Sequence, residues 1–201
     1  MSVLLETSLG DIVIDLFYEK CPIASKNFVK LCKLKFYNNS LFFDVQKNYL
    51  TRILDPNKPS TSLYEILYGE QAKYFEDEIF ADLKHNKMGL VSTSNKAPNM
   101  NNSEFFITLS NDNIEFLNGK HTIFGQVAEG LEVLNKINQT YIDETNRPFK
   151  NIRILHTLIL DDPFPDPEEL VFPNKSPERT INVNFIIFTY NKENSYRKMT
   201  D

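Results

Sequence analysis

The feature that most constrains the fold is a pair of β-prone runs separated by a reverse-turn signal. Residues 105–108 read F-F-I-T, and residues 116–125 read F-L-N-G-K-H-T-I-F-G. Asn118-Gly119 beside such runs is a strong turn signal, because both residue types tolerate positive φ. The block places aromatic rings, a leucine and one histidine, His121, near the same turn. This composition is typical of a shallow apolar cleft with one polar rim group. The alternative interpretation is an ordinary β core with a surface histidine.

The flanking segments predict a β-rich α+β chain. Residues 11–16 alternate polar and apolar side chains and are preceded by the β-prone run 3–7, which predicts a hairpin. Further strands are predicted at residues 41–46, 49–54, 90–95 and 152–160.

Two segments of the chain have the periodicity of helices. Pro22 opens the first, where its missing N–H costs little, and one face carries Ala24, Phe28, Leu31 and Cys32. The second covers residues 131–138, with Leu131, Leu134 and Ile137 predicted on the buried face.

Composition excludes several classes of function. A chain of 201 residues is one domain with a short extension, and its net charge of −5 argues against unaided nucleic-acid binding. Cys21 and Cys32 suit a reducing compartment rather than a disulfide framework. No signal pattern precedes Val3, and no apolar run approaches about 18 residues, so we expect no membrane span. Histidine and cysteine spacing predicts no metal site and no cofactor, and His85 is interpreted as a satisfied loop or core histidine.

Residues 103–107 and 116–125 resemble the cyclophilin pattern S-Q-F-F-I followed by W/F-L-D/N-G-K-H-V-V-F-G. The resemblance covers roughly Val3 to Asp161. Cyclophilins are peptidyl-prolyl cis-trans isomerases. The resemblance therefore implies a mainly β domain over residues 1–162, a closed antiparallel barrel of about eight strands capped by two helices, acting on X-Pro bonds in protein substrates.

The segment that carries catalysis in cyclophilins departs from the family pattern here. Residues 42–55 stand where the family has F-H-R-I-I-P-x-F-M-x-Q-G-G-D, with Tyr49 and Leu50 on the Phe-Met pair and Asp55 on the closing Asp. This register places Asp44 on the catalytic Arg and Arg52 on the Gln. In the family, the Arg is thought to donate to the prolyl nitrogen as amide resonance is broken. An ionised Asp only accepts hydrogen bonds, so the resemblance implies weak or absent activity.

Arg52 has two open interpretations. The family Arg and Gln are neighbours on adjacent strands, so we expect a cross-strand ion pair between Asp44 and Arg52. In one interpretation, Asp44 holds Arg52 while the guanidinium still reaches the prolyl nitrogen. In the other, the pair is a solvated surface salt bridge, worth about 0 to 1 kcal/mol.

The resemblance also implies a set of substrate-binding residues. The backbone at Ser94 and Asn95 is expected to pair with the substrate like an added strand. Glu104 replaces a peptide-binding Gln and, when ionised, cannot donate. The apolar floor is better kept, and it comprises Tyr49, Leu50, Phe106, Phe116, Leu117 and His121.

The end of the domain resembles one cyclophilin subfamily. Residues 152–164 match I-R-I-x-H-T-x-I-L-D-D-P-F. That subfamily is nuclear, carries an RNA-recognition motif after the barrel, associates with the spliceosome and also lacks the catalytic Arg. The resemblance implies a nuclear monomer, or alternatively a cytoplasmic one, whose partners are proline-containing segments and spliceosomal proteins.

Two other functions stay open: a non-catalytic proline-peptide-binding scaffold in an RNA-processing complex, and a purely structural domain whose cleft is unused. Residues 163–201 predict a Pro-rich acidic linker and a poorly ordered tail, with an apolar run at 181–190.

Overall fold

The structure is a computed structural model that describes residues 1–54 and 59–175. The predictions for Asp55 and for the apolar run at 181–190 lie outside the described residues. The described part begins with the predicted hairpin and continues through the remaining strands to residue 159.

Within the described residues, eight strands form one antiparallel sheet in the order β3-β4-β6-β5-β7-β2-β1-β8. Their bounds are β1 Ser2–Thr7, β2 Gly10–Leu16, β3 Leu41–Gln46, β4 Leu50–Leu54, β5 Leu90–Thr93, β6 Phe105–Thr108, β7 Ile123–Glu129 and β8 Ile154–Ile159. The sheet curls until its two edges meet: Phe42 N donates to Ile152 O, and Ile154 N donates to Ser40 O, each at 3.0 Å. The predicted mainly β, antiparallel barrel architecture is confirmed.

Three α-helices accompany the sheet in the described part of the chain: α1 Pro22–Lys33, α2 Leu63–Tyr68 and α3 Leu131–Asn138. The two predicted helices are α1 and α3, whereas the short α2 carried no periodic signal long enough to predict it. In α1 the predicted face is buried as expected. The helix starts without an acidic residue in its first turn. The carboxylate of Glu78 supplies the cap instead, accepting from Ile23 N at 3.0 Å and Ala24 N at 2.9 Å.

The predicted face of α3 is partly wrong. Leu131 is 45% exposed, and the buried residues are Val133, Leu134 and Ile137. The helix begins at Leu131, directly after Gly130 with φ +95°. A Cβ on Gly130 would lie 2.3 Å from Asp11 O, so glycine is required for the close approach of this turn to β2. The first helical residue consequently stays at the rim, and burial begins two residues later, at Val133.

Strand alternation gives the sheet two buried faces around β6. Phe105 and Ile107 point into the main core, where Phe105 meets Phe28 edge-on with ring centroids 5.2 Å apart. Phe106 lies between them and points to the other face, where it belongs to a separate apolar cluster. Because side chains alternate between the two faces of a strand, Phe105 packs inside the barrel and Phe106 faces its outer side.

The chain after β8 folds back across α1 and closes around a buried lysine. Lys30 is fully buried, and its Nζ donates to Asp162 Oδ2 at 2.8 Å, Asp166 Oδ1 at 2.7 Å and Phe164 O at 2.6 Å. Three acceptors match the three donors of an ammonium group, which makes its burial tolerable. The domain boundary at residue 162 stays a prediction, and residues on both sides of it bind the same lysine.

We expect Lys30→Met to lower the free energy of unfolding by about 1 to 3 kcal/mol, because it removes the buried ammonium group that Asp162 and Asp166 share and leaves them only the partly exposed Lys33. The bonds from Lys30, then from Lys33, lower the pKa of Asp166 below its usual 3.8. A carboxylate with a lowered folded-state pKa stabilises the fold above its unfolded pKa and loses that contribution in acid. The difference between variant and wild type should therefore shrink below about pH 4.

Urea denaturation at pH 7 and at lower pH measures both effects. Lys26→Met, in the same helix, is the matched control and should change stability by less than about 0.5 kcal/mol. Equal stability of Lys30→Met and wild type at pH 7 would contradict this account of the buried lysine.

Candidate active site

One row of side chains crosses four strands on the outer face of the barrel. The antiparallel register pairs Asp44 on β3 with Arg52 on β4, Arg52 with Phe106 on β6, and Phe106 with Ser92 on β5. Directly paired residues project to the same face, so the four side chains form a continuous row. The alternate residues of β6, Phe105 and Ile107, belong to the main core.

The predicted ion pair between Asp44 and Arg52 is confirmed. Arg52 Nη1 lies 3.4 Å from Asp44 Oδ2, which also accepts from Gln46 Nε2 at 2.9 Å. Charge-assisted bonds are normally about 2.7 to 2.9 Å, so the Arg52 contact is loose. The Arg52 side chain is 45% exposed and that of Asp44 is 14% exposed. Asp44 Oδ1 is buried and has no hydrogen-bond partner in the described part of the chain.

The predicted apolar floor is brought together beside this row. Leu50, Phe106 and Leu117 form one buried cluster with Ile114, and Tyr49 packs against it. The rings of Tyr49 and Phe116 stack with centroids 5.5 Å apart, and Phe116 is 56% exposed. Sequence reasoning missed Ile114, although it is the single apolar residue in the polar run 110–115.

The floor is more closed than the shallow cleft that composition suggested. Phe106 and Leu50 are each only 1% exposed. A prolyl ring that rests on Phe106 must therefore displace the side chains that cover it. Tyr49 packs against this cluster and stacks on the exposed Phe116, so these two rings border the floor on its solvent side.

Two histidines contact the floor ring from different directions. The His121 ring meets Phe106 edge-on at 5.2 Å, and the His85 ring stacks on Phe106 at 5.9 Å. Burial of the ring lowers the pKa of His121 by more than a backbone hydrogen bond to Thr93 raises it. The pKa therefore lies below its usual 6.5, and the ring is mainly neutral at pH 7. His121 Nδ1 is buried without a partner among the described residues.

His85 is a satisfied core histidine, as predicted. It is fully buried, with Nδ1 at 3.1 Å from Asn118 Oδ1 and Nε2 at 2.9 Å from Ser92 Oγ. The Asn118 oxygen also accepts from His85 N, so Nδ1 carries the proton, with the orientation of the Asn118 amide assigned from these contacts. Burial lowers the pKa of His85 to about 4. This places a neutral imidazole beneath Phe106, a role that sequence reasoning did not assign.

The predicted turn at residues 117–120 carries Asn118, the residue that contacts His85. Lys120 N donates to Leu117 O at 3.2 Å, which closes the turn. Gly119 has φ +71°, while Asn118 has φ −61° and ψ 139°, the pattern of a type II turn. Only the glycine uses positive φ. Asn118 matters because its side chain accepts from His85, not because of its backbone.

The edge that follows β5 has the features expected for pairing with a peptide. Ser94 N donates to Glu104 O at 2.9 Å, so this N–H is already used. Asn95 Nδ2 donates to Asp77 Oδ1 at 3.1 Å and to Lys120 O at 3.0 Å. The backbone N–H and C=O of Asn95 have no partner within residues 1–54 and 59–175. Of the two predicted edge residues, Asn95 is the one whose N–H remains available.

The described residues contain no group of three or more His, Cys, Asp and Glu side chains that could hold a metal ion. Among the helices that the structure describes, none has the length and apolar character needed to cross a membrane.

Comparison with known proteins decides the family. The model of the cyclophilin type peptidyl-prolyl cis-trans isomerase family matches residues 2–159. The chain belongs to this family. Over 85% of its length it is 54% identical to peptidyl-prolyl cis-trans isomerase CYP59 of Arabidopsis thaliana, and over 90% it is 46% identical to human peptidyl-prolyl cis-trans isomerase-like 4. It spans only 34% and 37% of those two relatives.

A solved cyclophilin agrees with the fold of this one. The crystal structure of a Cryptosporidium parvum cyclophilin type isomerase, determined in the presence of the dipeptide Ala-Pro, superposes with a TM-score of 0.73 and is 33% identical. The match covers 81% of this cyclophilin and 100% of that chain.

We expect stability to fall as pH drops from about 6.5 towards 4, because the unfolded state binds a proton at His85 that the folded state refuses. A folded-state pKa of about 4 against the usual 6.5 corresponds to a loss of about 3 kcal/mol across this range. The measurement is urea denaturation of wild type and His85→Gln at several pH values. The variant should lack this part of the pH dependence, and parallel curves for the two proteins would contradict the buried neutral imidazole.

Proposed function

We propose that this cyclophilin domain binds proline-containing segments of proteins and isomerises their X-Pro bonds at a rate that Asp44 keeps low. The observation that carries the proposal is the row Asp44–Arg52–Phe106, which sets charged side chains beside the ring on which proline would rest. Family membership and the relative crystallised with Ala-Pro support the substrate class.

The chemistry of the row explains the expected weakness. Rotation about the X-Pro bond faces a barrier near 20 kcal/mol, because amide resonance is lost in the twisted state. A donor aimed at the prolyl nitrogen stabilises the twisted state more than the planar one, which is what catalysis requires. Asp44 cannot donate when ionised. Arg52 can, and it lies on the strand next to Phe106, whereas Asp44 lies one strand further away.

The two interpretations of Arg52 differ in what its guanidinium does. The 3.4 Å contact and 45% exposure fit a solvated surface pair, whose contribution to stability is small. The same exposure leaves part of the guanidinium accessible to a bound peptide, as a relocated donor requires. Asp44 then acts as the anchor of the catalytic arginine rather than as its replacement.

We expect Asp44→Arg to raise kcat/KM for an X-Pro peptide by about 100-fold, the effect typical of one preorganised donor. The assay follows cis-to-trans conversion of the peptide, with Asp44→Asn as the control that removes the charge without adding a cationic donor. Equal rates for wild type and Asp44→Arg would contradict the proposal.

Arg52→Ala in the same assay separates the two interpretations. The relocated donor predicts that the residual activity of the wild type is lost. The surface pair predicts an unchanged rate.

A second candidate function is a non-catalytic proline-peptide module that helps assemble an RNA-processing complex. The place of Asp44 in the row with Arg52 and Phe106 favours it, because an ionised carboxylate accepts hydrogen bonds but cannot donate one to the prolyl nitrogen. In this case peptide binds, but neither the wild type nor Asp44→Arg isomerises it. A nuclear location, spliceosomal partners and a monomeric state are parts of the same proposal, with a cytoplasmic location as the alternative. If no proline peptide binds at all, a purely structural domain is favoured instead.

A further inference from the structure

A single carboxylate gathers the loop that follows β5. Asp77 Oδ1 accepts from Asn95 Nδ2 at 3.1 Å and from Asn101 Nδ2 at 2.7 Å. Asp77 Oδ2 accepts from Asn99 N at 2.8 Å, and Asp77 N donates back to Asn99 Oδ1 at 2.9 Å. Three residues of the loop 95–101 are thus tied to one side chain from a distant part of the chain.

The segment that carries Asp77 is itself fixed to the barrel. Both carboxylate oxygens of the next residue, Glu78, accept hydrogen bonds at the N-terminus of α1, from Ile23 N and Ala24 N. Glu78 N also donates to Thr122 Oγ1 at 2.8 Å. Asp77 therefore ties the loop to a segment that is itself hydrogen-bonded to α1 and to Thr122.

The loop that Asp77 holds presents the unpaired backbone of the site. The Asn95 side chain is fixed on one side by Asp77 and on the other by Lys120 O, in the turn that leads to His121. Its backbone N–H and C=O are without partners in the described part of the chain. Strand addition needs such groups held in one orientation before the peptide arrives, since ordering them on binding costs affinity.

We propose that Asp77 is a positioning residue, which fixes Asn95 so that its backbone is aligned to pair with an extended proline-containing peptide. The inference rests on the proposed function and adds to it the residue that orients the binding edge. Asp77 acts through Asn95 and does not itself touch the peptide. Loss of this alignment weakens binding without changing the groups beside the prolyl nitrogen.

The test is an NMR titration of Asp77→Ala with an Ala-Ala-Pro-Phe peptide. This variant removes together the oxygens that accept from Asn95, Asn99 and Asn101, so we expect Kd to rise about three- to ten-fold, the ratio that one lost hydrogen bond represents. In an isomerisation assay the loss should appear in KM, with kcat little changed. Glu76→Ala, at the exposed neighbouring carboxylate, is the matched control and should bind as wild type.

Asn95→Ala is the second variant, in case Asp77→Ala does not fold. It keeps the backbone of residue 95 but removes the side chain that Asp77 holds, so it should weaken binding to a similar degree. Wild-type affinity in a folded Asp77→Ala protein, or in Asn95→Ala, would overturn the positioning role alone. Failure of the wild type to bind the peptide would overturn the proposed function, and the positioning role with it.

Discussion

The alternation of side chains along β6 is the constraint on which the rest of this structure depends. Phe105 and Ile107 fill the barrel, so Phe106 has to face outwards. Arg52 on β4 and Ser92 on β5 pair directly with Phe106, so their side chains lie on the same outer face. A slip of one residue in this register would bury the arginine and expose the core ring. The fold and the candidate site are consequently specified by one and the same pairing.

Long-range polar contacts hold the surroundings of this row in place. Glu78 caps α1, and Asp77 beside it fastens the loop that carries Asn95. His85 supports Phe106 from below through the turn at Asn118. Each contact joins segments far apart in sequence, so the outer face is ordered by the barrel as a whole. The Lys30 network does the same for the chain after β8.

Much of this could be predicted from the sequence, because local patterns and the cyclophilin motifs fix strand positions and register. The pairing of Asp44 with Arg52 followed from that register, and the structure confirms it. The prediction that His85 is a satisfied loop or core histidine is also confirmed, since the ring is buried and both of its nitrogens have partners. These features depend on neighbours along one strand or on a motif with fixed spacing.

Features that depend on tertiary approach could not be predicted in the same way. Helical periodicity places Leu131 on the buried face of α3, but it cannot show that the helix starts at the rim. The cap from Glu78 and the burial of Lys30 involve partners 54 to 136 residues apart. Composition likewise suggested a shallow apolar cleft, whereas packing leaves Phe106 only 1% exposed. No sequence pattern indicates how far neighbouring side chains bury the apolar residues of the site.

The most direct test of this account is whether proline reaches Phe106. Isotope-labelled wild-type protein is titrated with an Ala-Ala-Pro-Phe peptide and with its Pro→Ala counterpart, while the ring signals of Phe106 and His121 are followed by NMR. The account predicts saturable shifts of both rings with the proline peptide and not with its counterpart. Unchanged ring signals at millimolar proline peptide, or equal shifts with both peptides, would contradict it.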